Sequence, residues 1–447
     1  MRRSSLQIAL AALLAVGSAG CEGFLTGTKL TEDPNNPSSA TRDQLFVGAQ
    51  ASMTTQLTGA LARTACMFVQ KCAGVDRQYQ TIGLYNITEG DFAAEWDRIY
   101  TGGGLVDLRA VQASATADGD LVYAGVAKVL EALVMGTYTS LWGDIPYSEA
   151  VSAVAEPVFD PQQSIYAALQ TLLDQAISDL GGAGSGPGAQ DLIYGGDKAK
   201  WLEVAHTLKA RYYLHTAERV GAAAYTAALA QANQGISAAA NDFRTFHSAL
   251  TSENNLWYQF QIVQRDSYLR VGARLVNLMN ARSDLRLANY FAPLPGGGYG
   301  GANPGDQLDN ALHSNFSATR LDPTYRQPVI TWAEVLLIRA EAKYETGDLT
   351  GALADLNAER TSAGLPALVG ITGTALRDSI MFEKYVATFQ TIEAWNDFKR
   401  TCTPSLVPAP GSTQVIGRLL YGANERNANP KTPTPEPARN WNDPNPC

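Results

Sequence analysis

Thr331–Gly364 reads TWAEVLLIRAEAKYETGDLTGALADLNAERTSAG, and the fold is decided by how this stretch is parsed. Ala333, Leu337, Ala340 and Tyr344 recur at spacings of four, three and four, which is one face of a helix. Gly347-Asp348 breaks the pattern: the glycine takes a left-handed cap, and Asp348 accepts the free N–H groups of a second helix. Leu349, Ala352, Leu353 and Leu356 form the apolar stripe of that helix, and Gly364 and Pro366 end it. The small side chains of Ala340, Ala342, Ala352 and Ala354 let the two helices approach closely.

Outward from this unit, the same order of long helix, break and Ala-rich helix recurs at 121–180 and 199–240, and residues 375–400 add another helical segment. The expected helices include Thr41–Leu61, Leu121–Leu141, one starting at Asp160-Pro161 with Asp160 as cap, Lys200–Val220 and Ala222–Ala240. Gly181–Gly188 reads as a linker. A unit of 34 residues built this way is tetratricopeptide-like, and such hairpins stack because none buries its face alone. An ordinary helical bundle is the alternative. The fold class is therefore mostly α: a tetratricopeptide-like helical hairpin scaffold over about 41–61, 121–240 and 331–400, with an irregular loop-rich subdomain. That subdomain is the Gly-, Asn-, Tyr- and Pro-rich insertion at about 251–326, too long for a simple connector. Arg77–Thr88 reads as an irregular loop, and the tail 427–447, with six prolines, as extended chain over the surface.

The N-terminus reads as an export signal. Arg2 and Arg3 precede the apolar Leu6–Val16, too short to span a bilayer, and Gly17-Ser18-Ala19-Gly20 leads into Cys21. Small residues directly before a cysteine resemble a bacterial lipobox, so residues 1–20 are expected to be cleaved and Cys21 lipidated, with 21–40 as tether. A plain secretory signal is the alternative. No later run reaches 18 uninterrupted apolar residues. Charged residues are only 17% of the 447, and the formal charge of −9 becomes −11 once Arg2 and Arg3 leave. With no basic run, nucleic acid is excluded as a partner. Of the remaining cysteines, Cys66, Cys72, Cys402 and Cys447, three pairings can be drawn. A Cys66–Cys72 loop with Cys402–Cys447 pinning the tail is the favoured one, and buried free thiols are the alternative. Their spacing does not suggest zinc.

Little points to catalysis or a cofactor. His206, His215, His247 and His313 lack metal spacing, and there is no HExxH, GxSxG or phosphate loop. Gly296–Gly301 lacks the strand–helix context of a phosphate loop. Glu334 and Glu341 share one side of a helix, and their expected role is structural. Trp142–Ala150, WGDIPYSEA, is expected to pack a helix end, with Asp144 bonding backbone; Trp201, Trp332 and Trp395 read as packing residues. Ligand candidates are loop aromatics, which stack on sugar or peptide faces beside amides and hydroxyls that give direction. These are Tyr79, Tyr85, Trp257, Tyr258, Tyr268 and Tyr299, near Asn86, Asn255, Gln259 and Arg265.

Taken together, these pieces resemble the SusD/RagB family of outer-membrane nutrient-binding lipoproteins. The likeness rests on Phe24-Leu25 and Asn36-Pro37 after Cys21, on Trp142–Ala150, and on Asp191 through Asp197 to Trp201. It rests further on Ala333 through Ala342, on Glu383-Lys384-Tyr385 with Glu393-Ala394-Trp395-Asn396-Asp397, and on Arg418–Tyr421 with Glu425-Arg426-Asn427. Gly422 stands where the family usually has proline. The resemblance implies a tetratricopeptide-like scaffold and a lipid-anchored place on the outer membrane. It also implies partnership with a SusC-like TonB-dependent transporter, to which oligosaccharide or peptide is passed without chemistry. A surface glycoside hydrolase, and a scaffold lipoprotein with only protein partners, are the competing readings.

Overall fold

The computed structural model describes residues 40–447; the expected leader, Cys21 and the tether up to residue 39 lie outside them. Helices α1 (Arg42–Thr58), α2 (Ala60–Phe68), α3 (Ala93–Tyr100) and α4 (Leu105–Ala117) lead into the long α5 (Leu121–Trp142). Then come α6 (Gln162–Leu180), α7 (Lys198–His215), α8 (Ala222–Ala232) and α9 (Ala273–Ala281). The chain closes with α10 (Trp332–Glu345), α11 (Leu349–Ser362), α12 (Gly373–Ala387) and α13 (Glu393–Thr401). Helices α5 and α6, α7 and α8, and α10 and α11 pack as pairs, and α6 against α7 and α8 against α10 join the pairs into an array. The protein is mostly α, with a tetratricopeptide-like architecture.

The α10–α11 unit follows local chemistry. Gly347 turns the chain at φ +91°, and Asp348 accepts the Gly351 N–H at 2.8 Å. Leu337 and Ala340 of α10 then meet Ala352 and Leu356 of α11, with Leu376 and Ile380 of α12 closing this small core. Helix α5 is the centre of the larger core. A Cβ on its Gly136 would lie 2.2 Å from the ring of Tyr212 on α7, so only glycine admits that crossing. The Tyr212 hydroxyl crosses the same contact to donate to the Ala132 carbonyl at 2.7 Å. Helix α5 is also long and apolar enough to cross a bilayer, which a count of uninterrupted apolar residues missed. Almost all of it is buried between neighbours, so it is a core helix.

Five local expectations are corrected. Thr41–Leu61 is broken at Gly59 into α1 and α2, and Ala222–Ala240 stops at Ala232. Lys200–Val220 is not one helix: Thr216 bonds back to the Tyr213 carbonyl and the chain restarts as the short turn Ala217–Val220. Arg77–Gly83 is helical, not irregular. The start of α6 is capped by Asp144, which accepts the Gln162 N–H at 2.8 Å, while Asp160 instead accepts Tyr147 N–H and Ser148 N–H.

The motifs that looked structural hold elements together. The Trp142 indole donates to the Leu420 carbonyl at 2.8 Å, and Tyr147 donates to Glu131 at 3.1 Å. Asp191 accepts the Trp201 indole at 2.7 Å and the Gly196 N–H at 2.9 Å, locking the turn before α7. Disulfides join Cys66 to Cys72 and Cys402 to Cys447. The second ties down a tail whose Asn440 and Asn442 donate to the Ser140 and His215 carbonyls, and whose buried Asp443 faces Lys399 at 3.3 Å.

Candidate functional site

The loop-rich subdomain is hung on a two-stranded antiparallel pairing, β1 (Cys72–Gly74) with β3 (Leu269–Val271). β2 (Phe243–Arg244) and β4 (Pro328–Ile330) pair likewise at its other end. The β1–β3 pairing brings the turn after β1 beside the segment before β3, and the Val75 N–H donates to the Tyr268 carbonyl at 3.0 Å. From the first comes the helix Arg77–Gly83; from the second comes Gln259–Gln264, wound as a π-helix. Such widened turns recur at functional sites.

Where these segments meet, three rings cluster. Tyr79 lies 4.7 Å from Phe260 and 6.1 Å from Tyr268, centroid to centroid. Three guanidinium groups rim them. Arg63 sits 4.2 Å over Phe260, Arg265 5.0 Å over Tyr268, and Arg77 5.8 Å from the same ring. Arg63 also donates to the Tyr79 hydroxyl at 2.8 Å, and Arg265 to the Tyr268 hydroxyl at 3.1 Å. Stacked guanidinium groups are held in place without losing their outward donors. Arg77 holds a φ of +47°, a conformation that costs about 1–3 kcal/mol in a side-chain-bearing residue. Ser267 anchors the turn by donating to Asp76 at 2.6 Å.

Arg77, Gln264, Arg265, Asp266, Ser267 and Tyr268 line an open depression of about 530 Å³. Gln264 also borders a second one, of about 210 Å³, lined by Arg63, Arg98, Gln259 and Phe260 among others. Ile262 and Val263, directly before Gln264 on the π-helical turn, are half exposed. The result is a groove of two depressions that share Gln264, with many directional donors and exposed apolar side chains next to Gln264 in sequence. Each depression has one lining carboxylate, Asp266 in the larger and Glu95 in the smaller.

The sequence candidates divide. Arg265 and Tyr268 line the groove, and Tyr79 supports it from beneath, 5% exposed. Trp257 does not reach it: it is wholly buried, edge-on to Phe316 at 5.3 Å, and offers no face to a ligand. Its place follows from Asn255, whose side chain accepts the Trp257 and Tyr258 N–H groups and turns the indole inward. Tyr258 is half-buried on the same turn. Tyr85 packs edge-on to Phe68 at 5.7 Å, and Tyr299 edge-on to Phe291 at 6.3 Å. Arg63, Arg77, Phe260 and Gln264 were missed. Only the pairing of β1 with β3 makes neighbours of residues nearly 200 positions apart, and no local pattern announces it.

A helical-repeat array carrying a loop-built, ligand-sized groove is the architecture of a binding protein. The family model for SusD-like proteins, described as starch-binding and associating with the outer membrane, matches residues 34–422. The chain belongs to this SusD-like family. A SusD/RagB family protein from Bacteroides thetaiotaomicron has the same fold at 22% identity and TM-score 0.74, over 91% of this chain and 98% of its own. A SusD homologue from Bacteroides uniformis matches at 19% identity and TM-score 0.77, over 90% and 99%. A chitin-binding SusD homologue from Flavobacterium johnsoniae matches at 18% identity and TM-score 0.75, over 90% and 99%. Among curated proteins no sequence relative matches.

Proposed function

We propose that this chain is a non-enzymatic, lipid-anchored cell-surface protein that captures oligosaccharide in the Arg77–Arg265–Tyr268 groove. It then passes the sugar to a SusC-like TonB-dependent outer-membrane transporter. The observation that carries this reading is the cluster of Tyr79, Phe260 and Tyr268, packed tilted and edge-on and rimmed by Arg63, Arg77 and Arg265. Sugars offer apolar C–H faces and hydroxyls, and this groove offers Tyr268, Phe260 and Leu256 with fixed donors to match. The family's description and the chitin-binding relative support a carbohydrate over a peptide.

A hydrolase needs two carboxylates facing one cleft, about 5–9.5 Å apart. Asp266 lines the larger depression and Glu95 the smaller, so neither depression holds a pair of its own, which argues against it. The helical array supplies a broad surface for a protein partner, as such arrays do.

Calorimetric titration with chitin and starch oligosaccharides tests the reading, with chromatography of the mixture for released sugar. Binding without release supports it, and release of shorter sugars overturns it. Membrane fractionation of a Cys21→Ser variant tests the anchor: the variant should leave the outer membrane, and full retention would overturn that part.

A further inference from the structure

A cavity of about 430 Å³, sharing no lining residue with the groove, opens between the start of α10, the end of α11 and the Thr319–Pro328 loop. Three guanidinium groups line it. Arg244 is paired with Asp242 at 2.7 Å, and Arg286 with Asp284 at 2.6 Å and Glu383 at 2.7 Å. Arg320 is different. It is 7% exposed and lies 4.4 Å over the Tyr290 ring, 5.3 Å from the Tyr325 ring and 5.8 Å from the Phe389 ring; among the described residues no carboxylate pairs with it and its buried Nε has no hydrogen-bond partner. Ring faces hold the guanidinium in place without neutralising it, so a counter-charge that enters the cavity finds a positioned and unpaired cation.

A second group in the same wall is also unsatisfied. Glu359 is 2% exposed; one carboxylate oxygen faces Arg286 at 3.4 Å, and the other has no partner among the described residues. Burial and the neighbouring Glu383 hold its carboxyl up at about 8, so near neutrality it carries a proton to donate. The Tyr290 hydroxyl, likewise without a partner among the described residues, completes the polar wall.

We infer that this cavity is a second binding site, separate from the groove, which takes the carboxylate of a small monoanion against Arg320, Glu359 and Tyr290. One uncompensated cation beside one carboxyl group suits a single negative charge and is poorly matched to a phosphate dianion. The planar fork of arginine pairs with a carboxylate through two parallel bonds. An acidic sugar and an amino acid both present that group.

The test is titration of the purified protein with D-glucuronate, L-glutamate, D-glucose and inorganic phosphate, each up to about 10 mM, which detects any Kd below about 1 mM. At least one of the two carboxylates should bind while glucose does not, and which of them binds identifies the source. Arg320→Gln should weaken that binding by about tenfold or more, the worth of a charge-assisted pair. If the loss of stacking on Tyr290 unfolds that variant, Tyr290→Phe, which removes only a hydroxyl, should weaken binding about threefold to tenfold with an unchanged melting temperature. Absence of binding by both carboxylates, tighter binding of phosphate, or undiminished binding in a folded Arg320→Gln or Tyr290→Phe variant would each overturn the assignment. None of these outcomes depends on whether the groove binds oligosaccharide.

Discussion

Glu334 on α10 takes both carboxylate oxygens to one guanidinium, that of Arg211 on α7, at 2.7 Å each. Both residues are almost wholly buried, and Arg211 lies a further 3.7 Å from Glu393 of α13, which also accepts from His215 at 2.7 Å. The pair therefore bolts one repeat to the next at a place where water cannot take over. Removing one partner strands the other. Arg211→Met is expected to destabilise the protein by about 3–5 kcal/mol, while Arg211→Met with Glu334→Leu recovers most of the loss. Urea unfolding of the single and double variants measures both; equal losses in the two would mean the pair itself, not the stranded charge, sets the stability.

Glu341, one heptad further along α10, meets Lys384 at 2.6 Å and Arg400 at 2.6 Å. Burial alone would raise its pKa, but Arg400 and Lys384 outweigh burial and hold it down at about 2, against an ordinary 4.5. A carboxylate whose pKa is depressed on folding stabilises above its ordinary value and loses that contribution as pH falls toward the folded value. Melting temperature should therefore drop steeply between about pH 4.5 and 2, and the drop should be shallower in a Glu341→Gln variant of lower overall stability. Identical acid limbs in the two proteins would show that other carboxylates set this range.

Glu359 predicts the opposite limb. It lies among Glu383, Arg286, Arg360 and Asp284, and its carboxyl is raised to about 8 by burial and by Glu383. Between about 4.5 and 8 the folded state then holds a proton that the unfolded chain has lost, so stability falls as pH rises, by up to about 1.4 kcal/mol per pH unit. Glu359→Gln, which keeps the shape and removes the titration, should be the more stable protein at pH 8 and nearly equal at pH 5. Denaturation midpoints at the two pH values decide it; a constant gap would sink the argument.

The scaffold was legible because its information is local. The spacing of Leu337, Ala340 and Tyr344, the Gly347-Asp348 turn and the Asp348 cap need only neighbouring residues to be read. The same holds for Asp191 and Trp201, ten residues apart and bonded at 2.7 Å. The groove is different in kind. Tyr79 and Tyr268 meet because β1 pairs with β3, and Arg63 joins them from α2. Aromatic residues in irregular stretches supply two of its rings, but composition does not say which ring turns inward. Asn255 capping the turn sends Trp257 into the core, whereas the π-helical turn that follows keeps Ile262 and Val263 outside. The Arg77–Gly83 helix escaped notice because it is short and flanked by no cap bond from Asp76.

The Cys402–Cys447 bridge spans 45 residues and closes over a tail that contributes Asn440, Asn442 and Asp443 to the buried region around α5 and α7. A loop of that length is worth about 2–4 kcal/mol through the entropy of the unfolded chain. Cys402→Ser with Cys447→Ser should lower stability by that amount and expose the tail to proteolysis before the rest of the body unfolds. Limited digestion followed by mass determination checks it. First cleavage elsewhere, with no change in melting temperature, would show that the buried asparagines hold the tail without the bridge.

Arg265 and Trp257 separate contact from support within the subdomain. Arg265 lies on the groove wall, stacked on Tyr268 and only half-buried. Arg265→Ala with Gln264→Ala removes outward donors and little core, so oligosaccharide affinity should fall about tenfold while stability changes by less than about 1 kcal/mol. Trp257 has its ring against Phe316 and no exposed surface, so Trp257→Ala leaves a cavity and should cost about 3–5 kcal/mol. At temperatures where that variant is still folded, its sugar affinity should stay near that of the unaltered protein. The reverse pattern, affinity lost with Trp257 and kept without Arg265 and Gln264, would move the sugar off this groove and onto a surface that the Trp257 turn shapes.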